Sequence, residues 1–85
     1  MEKILGKIHS AELQISDHGH LLVEISLVGA GWIVGTYISS KEPEKIKQYL
    51  EDAKVNKLSE LIGKPVEVIF KGSSLDSWRI LTEVL

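Results

Sequence analysis

The sequence predicts an α+β domain, an antiparallel sheet in β-β-β-α-β-β order backed by one broken helical segment. Two observations carry this. Five short runs alternate apolar residues at the period of a strand. One stretch, between Pro43 and Gly63, instead spaces its apolar residues at the period of a helix.

The first strand spans Lys3 to Ile15. Ile4, Gly6 and Ile8 hold one parity, while Leu5, Ala11, Leu13 and Ile15 hold the other, so the apolar parity switches between Gly6 and His9. A switch of parity within one strand predicts a bulge or bend. Asp17-His18-Gly19-His20 has the composition of a reversal. The second strand, Leu21 to Val28, puts Leu21, Val23, Ile25 and Leu27 on one face. Gly29-Ala30-Gly31 is a tight connection to a third strand, Trp32 to Ile38, rich in β-branched and aromatic residues. Ser39 to Glu44 announces a helix, with Pro43 suited to its first turn and Glu44 to its positive end. Ile46, Tyr49, Leu50 and Ala53 follow at helical spacing. Asn56 is expected to cap a second piece carrying Leu58, Leu61 and Ile62, which Gly63 ends and Pro65 keeps from continuing. Val66, Val68 and Phe70 mark a fourth strand, and Gly72 to Ser77 reads as a loop. Trp78 to Leu85 reads as a fifth strand running to the last residue.

Eighty-five residues make one domain, 1–85, with a thin stability margin. With no cysteine, disulfides cannot reinforce it. The apolar run of Met1 to Gly6 is too short for a signal peptide. The stretch Leu21 to Ile38 carries Glu24 and three glycines, unlike a membrane span. The expected location is therefore the cytoplasm, with no membrane partner. Net charge is −2, and phosphate-backbone binding ordinarily needs a basic face, so nucleic acid is disfavoured.

Each strand is apolar on one parity and half apolar on the other, the second set including Leu22, Val28, Ile33, Tyr37, Ile69, Leu81 and Leu85. One helical segment covers one face of an open sheet. Either the sheet buries its other face against a second subunit, predicting a homo-oligomer, or it curls into a small OB-like barrel with the helix plugging one end.

Candidate ligand-binding residues are Gly29, Gly31, Trp32, Tyr37, Trp78 and Arg79. Glycines let a backbone approach a ligand closely, aromatic rings stack on a base, and a guanidinium pairs with phosphate or carboxylate. Each has a structural alternative. Gly29-Ala30-Gly31 also makes a plain hairpin turn and lacks the third glycine of a dinucleotide fingerprint. Trp78 also makes a core residue, and Arg79 also pairs with Glu67 or Glu83. Strand alternation turns Trp78 and Arg79 to opposite faces. His18 and His20 lie in a turn with no third ligand marked by spacing, and no triad or nucleophile elbow is present. No catalytic residue, metal or cofactor is expected.

Further strings carry a resemblance: Gly29-x-Gly31-Trp32-x-Val34-Gly35, Leu50-x-x-Ala53-Lys54-Val55, Leu58-x-x-Leu61-x-Gly63-x-Pro65-Val66-Glu67-Val68, and above all Leu75-x-Ser77-Trp78-Arg79-Ile80-Leu81-Thr82-Glu83-Val84. Over its last two thirds the chain resembles a group of small bacteriophage and prophage accessory proteins. The resemblance implies a non-enzymatic binding protein acting in the host cytoplasm. The first expectation is an oligomer that captures a small anionic, nucleotide-like ligand such as a host immune signal. The alternative is a protein-interaction module that inhibits or redirects a host protein through a strand edge or the half-apolar face. A third reading is a single-strand nucleic-acid accessory protein on an OB-like barrel.

Overall fold

A computed structural model describes residues 2–84. Five antiparallel strands form one sheet: β1 (Glu2–Ile15), β2 (Leu21–Gly29), β3 (Trp32–Ser39), β4 (Pro65–Lys71) and β5 (Ser74–Ile80). Helix α1 (Pro43–Asp52) and a 3₁₀ turn (Leu58–Leu61) connect β3 to β4, and a second 3₁₀ turn covers Thr82–Val84. The sheet order is β3-β2-β1-β4-β5. β3 and β5 are its two margins and are not paired with each other, so the curled sheet stays an open half-barrel. This is the expected helix-backed antiparallel sheet, already bent toward the OB-like alternative.

The long β1 organises the molecule. Its first half, Glu2 to Lys7, pairs with β4, and its second half, Lys7 to Ile15, pairs with β2. The changeover carries the bulge that the parity switch predicts: Ile8 faces Leu27, Ser10 faces Ser26, and His9 has no opposite residue. The extra residue keeps Ile4, Gly6 and Ile8 on the same side of the sheet as Ala11, Leu13 and Ile15, despite their opposite sequence parity.

That inner side is the core. Ile8, Val23, Ile25, Leu27, Val66, Val68 and Ile80 are buried on it, and Leu61 and Ala53 close over them. Each large aliphatic side chain so buried stabilises the fold by roughly 1.5–3 kcal/mol. Pro43 opens α1 as expected, and Gly63 (φ 89°) ends the 3₁₀ segment before Pro65 starts β4.

The structure corrects the reading in three places. β5 begins at Ser74 rather than Trp78, with Phe70 opposite Leu75 and a register shift recruiting the polar stretch into the ladder. It ends at Ile80, because Leu81 donates its N–H to the Pro65 carbonyl, where β4 begins. Past that point β5 has no partner strand, and the backbone turns into 3₁₀ at Thr82. Leu81 is therefore buried rather than on the outer face; Leu85 lies outside the described residues. Asn56 is not a cap. Lys57 is the N-cap of the 3₁₀ turn, and Glu60 reaches back to accept the Asn56 N–H (3.3 Å).

Candidate functional site

Of the six residues the sequence singles out, Gly29, Gly31 and Trp32 share the β2–β3 hairpin. Gly31 (φ 81°) makes the turn, and Gly29 lies opposite Trp32 in the ladder. A Cβ on Gly29 would come within 2.4 Å of the Trp32 indole, and one on Gly6 within 2.8 Å. Both positions are glycine because the indole lies on them. The far side of the indole meets Phe70 edge-to-face, with centroids 5.3 Å apart at 82°.

Trp78, on the inner side of β5, stacks on Tyr49 of α1 with centroids 4.3 Å apart and planes within 6°. Arg79, its neighbour, points to the outer face. Its Nε is 3.2 Å from Glu67 Oε1, across the β4–β5 ladder, and Nη2 is 3.2 Å from Glu83 Oε1. Nη1 also donates to Glu83 Oε2 at 3.3 Å. Hydrogen bonds to Glu83 and then Glu67 raise the guanidinium above its ordinary range.

Tyr37, on the outer face of β3, is 64% exposed. Its phenol is raised from its ordinary value by hydrogen bonding to the Glu24 carboxylate, and by that group's charge. Arg79 and Tyr37 therefore sit at opposite margins of the sheet. The hairpin trio comes together; the two tryptophans and the arginine do not form one pocket.

Two open clefts mark the surface. One, of about 340 Å³, forms where β1 parts from β2 and is lined by Leu5, Gly6, Lys7, Val28, Gly29 and Ala30. The other, of about 350 Å³, lies beside Tyr37 and includes Gln14, Ile15, Asp17 and Leu22.

The feature that sequence reasoning did not locate is the open edge along the second half of β1. Ser16 donates its N–H to the His20 carbonyl, so Gln14, Glu12 and Ser10 turn their backbone groups to β2. Ala11, Leu13 and Ile15 then turn theirs away, to a side where β4 no longer runs. The side chains of Leu13 and Ile15, with Leu21 beside them, stay exposed at 60%, 71% and 45% on the inner side. On the outer side, Glu12 and Glu24 face each other directly in the ladder. The Gln14 amide bridges them, donating to Glu24 Oε1 (2.9 Å) and Glu12 Oε2 (3.4 Å). The length of the first strand was the available signal: a run that long outlasts a single short neighbour.

Among the described residues, no group of three or more His, Asp or Glu side chains is placed to hold a metal ion, and no helix is long and apolar enough to cross a membrane. No family model, curated protein or solved structure matches the chain.

Proposed function

We propose that this chain is a protein-interaction module that takes an extended segment of a partner protein as an added strand along Glu12–Ile15 of β1. One observation carries the reading. The outward-turned backbone groups of Leu13 and Ile15 coincide with their exposed side chains on one side and the Glu12–Glu24 pair on the other. Strand addition draws affinity from main-chain hydrogen bonds and specificity from alternate side chains. The matching segment is aliphatic on the parity that meets Leu13 and Ile15, and basic on the parity that meets Glu12. Like charges directly opposite each other weaken a ladder, and a cation on the other flank of Glu12 offsets this. A second copy fits poorly, since it would gather more carboxylates on one face. The resemblance to phage accessory proteins makes a host protein the natural partner.

This reading stands ahead of capture of an anionic nucleotide, because the groups that capture needs are engaged. Arg79 is paired twice, and both indoles are packed against other rings. Amide-proton exchange with two synthetic hexapeptides, alternating Val–Lys and Val–Glu, distinguishes the two. Val–Lys should protect the Leu13 and Ile15 amides, and Val–Glu should not. If neither protects them while a cyclic dinucleotide shifts the Trp32 and Trp78 indole signals, the nucleotide reading takes its place.

A further inference from the structure

We propose that the cleft where β1 parts from β2 receives the free C-terminal end of a polypeptide whose last residue is aliphatic. The site lies on the opposite edge of β1 from Glu12–Ile15 and is independent of the strand addition proposed there. Its backbone follows from one hydrogen bond. Ile8 donates its N–H to the Lys64 carbonyl. Carried along the register, this turns Ile8, Gly6 and Ile4 toward β4. Lys3, Leu5 and Lys7 turn their backbone groups the other way. There Lys7 meets Val28 in the last rung of the β1–β2 ladder. Leu5 has no partner beyond that rung, because the chain leaves β2 at Gly29 and reverses at Gly31.

Charge sets the sign of the occupant. Lys7 is the one charged residue lining the cleft, and its ammonium pairs with no carboxylate among the described residues. The acid opposite Leu5 on the β4 side, Glu67, is held by Arg79 at 3.2 Å. An anion therefore finds a free cation here, and charge-assisted hydrogen bonds are the strong ones.

The open backbone sets its kind. Leu5 offers both an N–H and a carbonyl, and a peptide answers both, whereas a simple acid anion only accepts. The Lys7–Val28 rung closes the slot, so an added segment cannot run past it. A segment that ends there sets its terminal carboxylate beside Lys7, one of the recurring ways in which peptides are recognised. Leu5, Val28 and Ala30 give the last side chain apolar walls within about 340 Å³, room for a chain end. Gly6 and Gly29 add backbone alone, since the Trp32 indole fills the space their side chains would need.

Amide-proton magnetic resonance of the full chain tests this with three probes: an acetylated Thr-Val-Thr-Val peptide with a free carboxylate, the same peptide as its C-terminal amide, and octanoate. The free-acid peptide should slow exchange of the Leu5 amide and shift the Gly6 and Gly29 signals. Amidation and Lys7→Gln should each weaken binding about tenfold or more, as loss of a hydrogen bond to a charged group does. Lys7 is exposed, so Lys7→Gln should keep the far-ultraviolet dichroism and melting temperature of the unmodified chain. The proposal is overturned if the free-acid peptide fails to protect Leu5, if the amidated peptide binds as tightly as the acid, if octanoate matches the peptide, or if Lys7→Gln leaves affinity unchanged.

Discussion

The two margins of this sheet meet opposite fates. β5 carries Asp76 and Arg79, shifts register against β4, and has Tyr49 of α1 stacked on its Trp78. β3 is uncharged, unbroken and open along its outward backbone. Both are edge strands of the same small domain, and both would invite pairing if left bare. The chain blunts one margin with charge and a register shift and leaves the other uncharged and regular. The margin that holds α1 through Trp78 should therefore contribute more to the stability of the single chain than the open one.

Truncating Trp78 to alanine should have the largest effect. It removes the ring that joins α1 to β5 and opens a void behind it, which should cost about 3 kcal/mol, near the lower end for large aromatic truncations. Ile33→Ala, at the open margin, should change the stability of the dilute chain by no more than about 0.5 kcal/mol. Urea unfolding of the two variants side by side measures the contrast. Equal losses would mean that the margins do not divide the work in this way.

The contrast also marks how much was legible in the sequence. Val23, Ile25 and Leu27 alternating with Leu22, Glu24 and Ser26 fixed which face of β2 is inner, and the switch of parity before Ala11 foretold the bulge at His9. Both are local patterns. β5 was harder, because Ser74-Leu75-Asp76-Ser77 has no alternation of its own and is a strand only through its pairing with β4. Its end at Ile80 is likewise set by where β4 begins, at Pro65. The opposed faces of Trp78 and Arg79 were readable from alternation alone; the stacking of Trp78 on Tyr49 was not, since nothing in the spacing brings α1 across to β5. The open groups of β1 and β3 depend on which strands neighbour them, and strand order lies beyond local pattern.

The glycines sharpen the comparison at a smaller scale. Gly29→Ala would drive a methyl into the Trp32 indole, 2.4 Å away, and should destabilise by about 1–3 kcal/mol, as overpacking does. Gly35→Ala, at the open margin, meets no atom within 4 Å and needs no left-handed backbone. It should leave the single chain unchanged or stabilise it by up to about 1 kcal/mol, through a less flexible unfolded state. Thermal melts at low concentration separate the two by sign.

Arg79→Ala should cost the fold little. Its carboxylate partners sit on the outer face, where water and salt screen exposed ion pairs of this kind. If the variant retains its melting temperature to within a few degrees while losing affinity for a nucleotide probe, the guanidinium serves a ligand. Loss of stability alone leaves it as the strap between β4, β5 and the turn at Glu83.

The smallest effect comes from the tyrosines, one at each margin. Both phenols are raised from their ordinary value of 10.0, Tyr49 chiefly by burial and Tyr37 chiefly by its hydrogen bond to Glu24. Between 10.0 and its raised value, a tyrosine holds its proton in the folded chain after the unfolded chain has lost it. Its contribution to stability is complete below 10.0 and is lost as pH rises through the folded pKa. Tyr49→Phe should flatten the alkaline fall in stability, because it removes a proton whose loss is opposed by packing against Trp78 and the core. Tyr37→Phe should flatten it less, since the phenol is exposed to solvent and its Glu24 partner is screened. Ultraviolet difference titration of the two variants assigns each phenolate step. If the step that Tyr37→Phe removes is the more strongly raised, the Glu24 carboxylate outweighs burial in setting the order of the two phenols.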